Sequence, residues 1–239
     1  MTPVAHGGQP WQNLSLFQNV ALSVGGAAFY RSAFVRRERA ALTGPVMLEA
    51  LRVFRRIRPY TQRSLAEREW PDVTESLIRN DAAFQFIGDW VKPQLMAARD
   101  TRGFAYACAP MPGQPGFAYV IDSFSLFKSG DRSVVAGQQA FASVLLAAAV
   151  QAEFNAAKGS LPTRRDAALE APDACAQAGA AHFHSCEQAG TLVPSFTMAM
   201  SHDVEAELSR SIGRYWDNER ITPHMALDAI ARILAPARR

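Results

Sequence analysis

The chain has 239 residues, of which 49% are apolar and 20% charged, so it can bury a sizeable core in one large domain or two small lobes. Its net charge is +3 without a basic stripe, which gives no argument for nucleic acid, and we expect no nucleic-acid partner. No apolar run approaches the roughly eighteen residues of a membrane span, so we expect no direct membrane insertion.

The first part of the chain predicts a loop and then helices. Residues 2–12 are typical of a loop because they contain Gly7, Gly8 and Pro10. A helix with apolar residues at helical spacing follows from Leu14, is interrupted at Gly25-Gly26 and resumes over 27–35. A further helix starts after Gly44-Pro45. One of its faces carries four arginines, for which a solvated face is favoured over an anion patch: Arg52, Arg55, Arg56 and Arg58.

The stretch from Ala82 to Trp90 is the most informative in the sequence. After a helix over 69–79, the apolar run Ala82–Ile87 predicts a strand that ends at Gly88. Asp89 and Trp90 then supply a carboxylate and a flat apolar ring, which together suit a sugar with polar edges and a stackable face. An ordinary sheet end with a core tryptophan is an equally good interpretation of these residues alone.

The remaining elements predict an α/β class with parallel or mixed strand pairing. Strands are expected over Phe104–Ala109 and Phe117–Phe127, the second with Asp122 in its middle, and a short helix over 92–98. A long helix is expected from Asp131 as N-cap to Asn155, with Gly159 as its stop. The last predicted helices are 173–187, 204–216 and 223–234, with Thr222 capping the last.

The motif content favours binding over catalysis. No nucleophile elbow, zinc-protease motif, P-loop or dinucleotide fingerprint is present, so we predict no cofactor. His182, His184 and Cys186 lack a second ligand cluster and form a weak candidate metal site. Aromatic and charged residues at strand ends and in loops suit a polyol: Trp11, Asp89, Trp90, Asp122 and Lys158. The alternative is a glycoside hydrolase that uses Asp89 and Asp122 as its two carboxylates.

Five stretches in order resemble the bacterial extracellular solute-binding proteins of sugar ABC importers, family 1, of the glucose and mannose type. They are AHGGQPWQ (5–12), LSVGGAAFYR (22–31), AAFQFIGDW (82–90), YVIDSFSLFK (119–128) and FNAAKGSLPTRRD (154–166). The resemblance implies a two-lobed periplasmic-binding-protein-like fold of type II, the Venus flytrap. It implies a non-enzymatic protein that binds a glucose-like monosaccharide and has membrane permease subunits as partners.

The resemblance also implies roles for particular residues. Trp90 would stack on the sugar with Asp89 beside it, Asp122 would accept hydrogen bonds from sugar hydroxyls, and Lys158 would donate one. Gln9 and Trp11 would line the wall of the second lobe. A bond between Cys108 and Cys175 is implied by export to an oxidising compartment, with Cys186 free. Met198 falls where relatives carry a histidine in the cleft.

Compared with that family the chain is short, which predicts a complete second lobe and an incomplete first lobe. The second lobe would comprise 1–118 and 158–239, and 119–157 would be a crossover strand and helices of the first lobe. An apolar helix face around Phe141 would lack its usual cover, and sugar binding by this chain would be weak; an interaction module without sugar binding is a third hypothesis. The family location is periplasmic, whereas MTPVAHGG has no feature of a secretory signal, so this chain as written could also be cytoplasmic.

Overall fold

A computed structural model describes residues 2–113, 116–168 and 174–235 of the chain. The chain divides into two compact units. The larger unit comprises residues 1–88, 110–120 and 182–239, and the smaller unit comprises 89–109 and 121–181. The boundaries of these units differ from those of the predicted lobes, which assign 1–118 and 158–239 to the second lobe and 119–157 to the first. Which unit corresponds to which lobe stays a prediction.

The described residues form helices and short strands. The helices are α1 (Pro10–Tyr30), α2 (Arg39–Leu42), α3 (Pro45–Ile57), α4 (Trp70–Ile78), α5 (Lys92–Arg102), α6 (Arg132–Leu145), α7 (Ala148–Lys158), α8 (Ala174–Gln188), α9 (Phe196–Ala199), α10 (His202–Asp217) and α11 (Pro223–Ile233). The strands are β1 (Thr2–Ala5), β2 (Ala82–Gln85), β3 (Phe117–Tyr119) and β4 (Leu192–Pro194). Strand β1 pairs with β2 and β3 with β4, both in parallel, so the predicted α/β class with parallel pairing is confirmed.

Helix α1 forms the centre of the larger unit. It packs against α3 and α10, and its Phe17 and Val20 are completely buried. The predicted interruption is confirmed, because Gly26 has φ 71° and ψ 175° inside an otherwise helical run. A positive φ costs little only for glycine, so this residue allows the helix to change direction without strain.

Aromatic rings fill the core around α1. The Phe196 ring lies 4.6 Å from that of Phe34 and 5.6 Å from that of Tyr30, while Phe54 lies 4.7 Å from Trp216. Such offset and tilted pairs each contribute about 0.5–1.5 kcal/mol beyond the apolar area that they bury.

A buried side chain completes the hydrogen bonding of this core. The Oε1 atom of Gln18 accepts from the backbone N–H of Phe196 at 2.7 Å. That N–H lies at the first turn of α9 and has no partner within the helix. The Gln18 amide therefore satisfies a buried donor that α9 leaves unpaired.

Of the four arginines on and just after α3, two lie on the predicted solvated face, whereas Arg55 and Arg58 contact other parts of the protein. Arg55 donates to the carbonyls of Tyr215, Asn218 and Ile221 and lies 3.9 Å from the centre of the Tyr215 ring. It thereby caps carbonyls at and beyond the C-terminus of α10. Arg58 pairs with Glu219 at 2.8 Å. The two remaining arginines, Arg52 and Arg56, lie near Glu49 on the exposed side.

Local start and stop signals of helices are confirmed. The Asp131 carboxylate accepts from the Ser133 N–H at 2.7 Å, and the Thr222 hydroxyl accepts from the Met225 N–H at 3.2 Å. Gly159 ends α7 with a left-handed φ of 86°. These signals act within one turn of chain, so they do not depend on distant residues.

Four predicted elements differ in the structure. Residues 2–12 are not all loop, because β1 pairs with β2, about eighty residues later. The predicted strand 104–109 has no regular structure, and the strand predicted over 117–127 ends at Tyr119. The long helix 131–155 is two helices, which meet near Leu146–Ala147 and are bent by 73°. Among the described residues no single helix is long and apolar enough to cross a membrane; only α6 and α7 taken together reach that length and composition.

Candidate functional site

The strand β2 leads into a short turn that carries two predicted site residues. After Gly88, a single 3-10 turn covers Asp89–Val91 and continues directly into α5, with Pro93 in the first turn of that helix. Proline suits this position because its missing N–H would have no partner there. Trp90 is 37% exposed, so its ring is accessible on the surface rather than enclosed in a core.

The end of α7 approaches this turn closely. Lys158 is the last residue of α7, and Gly159 follows in a left-handed conformation. A Cβ atom on Gly159 would lie 2.6 Å from the Asp89 carbonyl oxygen and 3.0 Å from the Pro93 ring. The close contact therefore requires glycine, and it holds Lys158 beside the Asp89 turn.

Asp122 joins the same group of charges. Its carboxylate forms an ion pair with the Lys158 ammonium, and the two side chains are 64% and 36% exposed. A pair this exposed contributes about 0–1 kcal/mol to stability. Its importance lies in placing an acceptor and a donor next to each other at an accessible position.

The residues around Asp89 shift the pKa of its carboxyl group. Burial raises the pKa of the Asp89 carboxyl group, nearby Lys92 and Lys158 lower it by a smaller amount, and Asp122 raises it slightly. Asp89 as a whole residue is nevertheless exposed to solvent, so its carboxyl group is accessible to a ligand. Two carboxylates and two ammonium groups thus act on one another beside Trp90, and this set can both donate to and accept from hydroxyl groups.

Lys92 is a member of this group that the sequence analysis did not identify. It is only 5% exposed, although lysine is rarely buried without compensating charge. Its attraction to Asp89 supplies part of that compensation. One signal could have pointed to it: the chain contains three lysines, Lys92, Lys128 and Lys158, and two of them lie at this site.

The other two predicted contacts, Gln9 and Trp11, belong to the larger unit. Gln9 precedes α1, and its Oε1 atom accepts from the Gln12 amide at 2.8 Å. Trp11 lies in the first turn of α1 and is 39% exposed. The four charged residues and Trp90 are brought together within the smaller unit; Gln9 and Trp11 form a separate predicted group.

The loop before α1 is held by buried hydrogen bonds. His6 Nε2 and Asn13 Oδ1 are 2.9 Å apart, and the Asn13 amide donates to the Gly8 carbonyl at 3.1 Å. Burial lowers the pKa of His6, which favours a neutral ring in this pair. These contacts give Gln9 and Trp11 a defined local structure.

Two of the three cysteines form the disulfide that the resemblance implies, and the third is free. Cys108 and Cys175 form a disulfide with a Cα–Cα distance of 5.2 Å, and Cys186 is free and buried. Across residues 2–113, 116–168 and 174–235, no group of three His, Cys, Asp or Glu residues is placed to hold a metal ion. His182 instead lies 5.5 Å from the ring of Phe117, and His184 lies 3.6 Å from the Glu187 carboxylate.

The fold is that of a periplasmic binding protein. It is similar to a solved chitin oligosaccharide binding protein with a TM-score of 0.73, covering 98% of this chain and 59% of that one. The sequences are 14% identical, so this likeness shows the fold alone. The predicted periplasmic-binding-protein-like architecture is confirmed.

Curated relatives identify the family. The chain is 36% identical over 213 residues to a probable sugar-binding periplasmic protein of Rhizobium meliloti, which covers 89% of this chain and 50% of that protein. A protein of the same name from Brucella suis is 35% identical, with 82% and 46% covered. An uncharacterized ABC transporter extracellular-binding protein of Pyrococcus horikoshii is 26% identical, with 88% and 48% covered.

No protein-family model matches the sequence. The chain spans about half the length of the curated relatives that it matches. Over that half it is homologous to the periplasmic sugar-binding proteins, and the resemblance drawn from its motifs is confirmed.

Proposed function

We propose that the protein is a sugar-binding component of an ABC importer and that Asp89, Trp90, Lys92, Asp122 and Lys158 contact the ligand. The observation that carries this proposal is the convergence of four charged side chains next to an accessible indole within the smaller unit. The names of the relatives, which are sugar-binding and periplasmic, support it.

The chemistry of the group suits a hydroxyl-rich ligand. The ammonium of Lys158 donates to a hydroxyl oxygen, while Asp89 and Asp122 accept from hydroxyl groups, and charge-assisted hydrogen bonds of this kind are stronger than neutral ones. The exposed pair of Lys158 and Asp122 costs little to open, so a sugar hydroxyl can replace one of the two partners. Trp90 offers its face to the apolar side of the sugar ring.

We further propose that the ligand is a glucose-like monosaccharide and that its other partners are permease subunits of the importer in a periplasmic setting. Gln9 and Trp11 remain predicted contacts on the larger unit. Because the chain spans half of its relatives, we expect the isolated chain to bind sugar with a millimolar or weaker constant, about 4 kcal/mol.

Titration with glucose, mannose and galactose by ligand-observed NMR tests the proposal. We expect saturable binding that Trp90→Leu and Lys158→Met each weaken about tenfold or more, because each variant removes a direct contact. Trp70→Leu in α4 is the matched control for removing a tryptophan and leaves binding unchanged. Equal effects of Trp90→Leu and Trp70→Leu would contradict the assignment of the site.

Two other outcomes separate the remaining functions. Turnover of a chromogenic glycoside that Asp89→Asn abolishes would show a hydrolase that uses Asp89 and Asp122. Absence of any sugar-dependent signal, together with an unchanged spectrum for every variant, would show an interaction module without sugar binding.

A further inference from the structure

The larger unit contains an open groove that is rich in arginine. Helix α11 packs against both α2 and α10, and residues of these three helices line a groove of about 630 Å³. Arg39 of α2, Arg214 of α10 and Arg232 of α11 belong to this lining. All three residues are exposed, so their guanidinium groups are accessible to a ligand. We call this site the arginine groove.

These three arginines have no acidic partner of their own. Elsewhere an arginine of the same unit pairs with a carboxylate, as Arg58 does with Glu219 at 2.8 Å. In the described part of the chain, no ion pair or side-chain hydrogen bond involves Arg39, Arg214 or Arg232. A guanidinium group is always protonated and carries five N–H donors. The arginine groove therefore presents positive charge and hydrogen-bond donors for which the protein supplies no acceptor.

The charge of the lining suits a divalent anion. Besides the three guanidinium groups, the described lining contains one carboxylate, that of Asp228. Three positive charges and one negative charge give the groove a formal charge of +2, whereas the whole chain carries +3. Guanidinium groups that share one groove repel each other, and a bound dianion removes this repulsion. A phosphate group at neutral pH carries close to two negative charges and matches the groove.

A buried hydroxyl group is a second, independent sign of a ligand. Ser211 lines the groove and is only 7% exposed, yet its side chain has no hydrogen-bond partner among the described residues. Buried polar groups are nearly always paired, so a hydroxyl group of this kind calls for an acceptor from outside the protein. Ser211 and Arg214 are three residues apart on α10 and share one face of the helix. Both can therefore donate to the same anion.

We propose that the arginine groove binds a small molecule that carries a phosphate group. The three guanidinium groups bind the phosphate oxygens through charge-assisted hydrogen bonds, for which the planar fork of arginine is well suited, and Ser211 donates a further one. The volume of the groove lies within the range of small-molecule sites. It has room for the organic part of a phosphate ester, which would contact Ile221 and Met225 of the lining.

Titration of the full chain with glycerol 3-phosphate and with inorganic phosphate, followed by ³¹P NMR at constant ionic strength, tests the proposal. We expect saturable binding of glycerol 3-phosphate, with inorganic phosphate binding equally well or more weakly. Arg214→Met and Arg232→Met should each weaken binding about tenfold, because each removes charge-assisted hydrogen bonds. Arg52→Met is the matched control: it removes the same charge from the exposed side of α3, outside the groove, and leaves affinity unchanged.

Two further variants give results that a folding defect cannot imitate. Asp228→Asn raises the formal charge of the lining from +2 to +3, so we expect it to strengthen phosphate binding about threefold. Ser211→Ala should weaken binding about threefold or more without lowering the thermal midpoint of the ligand-free protein, because its hydroxyl group has no partner to lose.

Three results would overturn the proposal. The first is the absence of a saturable signal from both phosphate compounds. The second is equal weakening by Arg52→Met and Arg214→Met, which would show general attraction to a positively charged chain. The third is binding to phosphatidylglycerol vesicles without binding of glycerol 3-phosphate, which would assign the groove to a membrane surface. None of these readouts uses a sugar, so they are independent of the proposed function.

Discussion

Replacing Gly159 with alanine tests the geometry on which the candidate site depends. Gly159 has φ 86°, a conformation that costs an L-residue other than glycine about 1–2 kcal/mol. The added Cβ atom would also lie 2.6 Å from the Asp89 carbonyl oxygen and 3.0 Å from the Pro93 ring. These neighbours are backbone and a rigid ring, so the Asp89 turn has to move, and such overpacking typically adds about 1–3 kcal/mol. We therefore expect Gly159→Ala to destabilise the smaller unit by about 2–5 kcal/mol.

The chain supplies a matched control for this variant. Gly103 ends α5 with φ 66°, but nothing lies within 4 Å of the position that its Cβ atom would take. Gly103→Ala therefore pays the conformational cost of about 1–2 kcal/mol without the contact at Asp89. The difference between the two variants in free energy of unfolding therefore measures the cost of disturbing the close contact between the end of α7 and the Asp89 turn.

Hydrogen exchange on peptides from α5 and α7 measures the local loss, and sugar titration measures the effect on the site. Gly159→Ala is expected to speed exchange more than Gly103→Ala does and to weaken binding about tenfold, which corresponds to 1.4 kcal/mol. Gly103→Ala should leave affinity unchanged. Equal exchange and equal affinity in the two variants would refute the close contact between Gly159 and Asp89.

The remaining predictions concern charge, disulfide and core. Burial raises the pKa of Asp89, so the folded state holds the carboxyl proton more tightly than the unfolded state does. The protonated carboxyl group therefore contributes stability that is fully present below the ordinary pKa of 3.8 and is lost as the pH rises through the pKa of the folded state. Asp89→Asn should therefore raise the free energy of unfolding in urea at pH 7, leave it unchanged below pH 3.8, and still weaken sugar binding. An equal increase in the free energy of unfolding at both pH values would contradict this. Cys108→Ser opens a loop closed across 67 residues and should cost about 4 kcal/mol in urea unfolding, whereas an unchanged midpoint in non-reducing buffer would show that the bond to Cys175 does not form. Gln18→Met leaves the Phe196 N–H without its acceptor and should lower the free energy of unfolding by about 1–3 kcal/mol, and a neutral effect would show that water replaces the amide.

Local chemistry made part of the fold predictable. The Asp131 cap, the Gly159 stop, the Thr222 cap and the break at Gly26 are all correctly indicated by sequence. Each of them depends on a side chain or a backbone angle within one helical turn. The stability of these caps and breaks therefore depends on interactions among a few neighbouring residues.

The motif GDW and the position of Lys158 identified a group of residues that the structure does bring together. Asp89 and Trp90 share one turn, so their proximity follows from the sequence alone. The placement of Lys158 and Asp122 near that turn came from the family resemblance, because residues so far apart in the chain meet only through tertiary packing. Lys92 was missed for the same reason: its sequence position shows a lysine in the first turn of a helix, and nothing local predicts that it is buried.

The sequence by itself determined the helix caps at Asp131 and Thr222, the stop at Gly159, the break at Gly26, the α/β class and the chemical character of the Asp89 turn, since the caps, stop and break rest on short-range interactions. The tertiary structure alone decided which apolar segments become strands. Thr2–Ala5 forms a strand because Ala82–Gln85 lies alongside it, whereas 121–127 has the stronger strand sequence and forms none. A strand is stabilised by hydrogen bonds to a neighbour, so its formation depends on a partner that its own residues cannot specify.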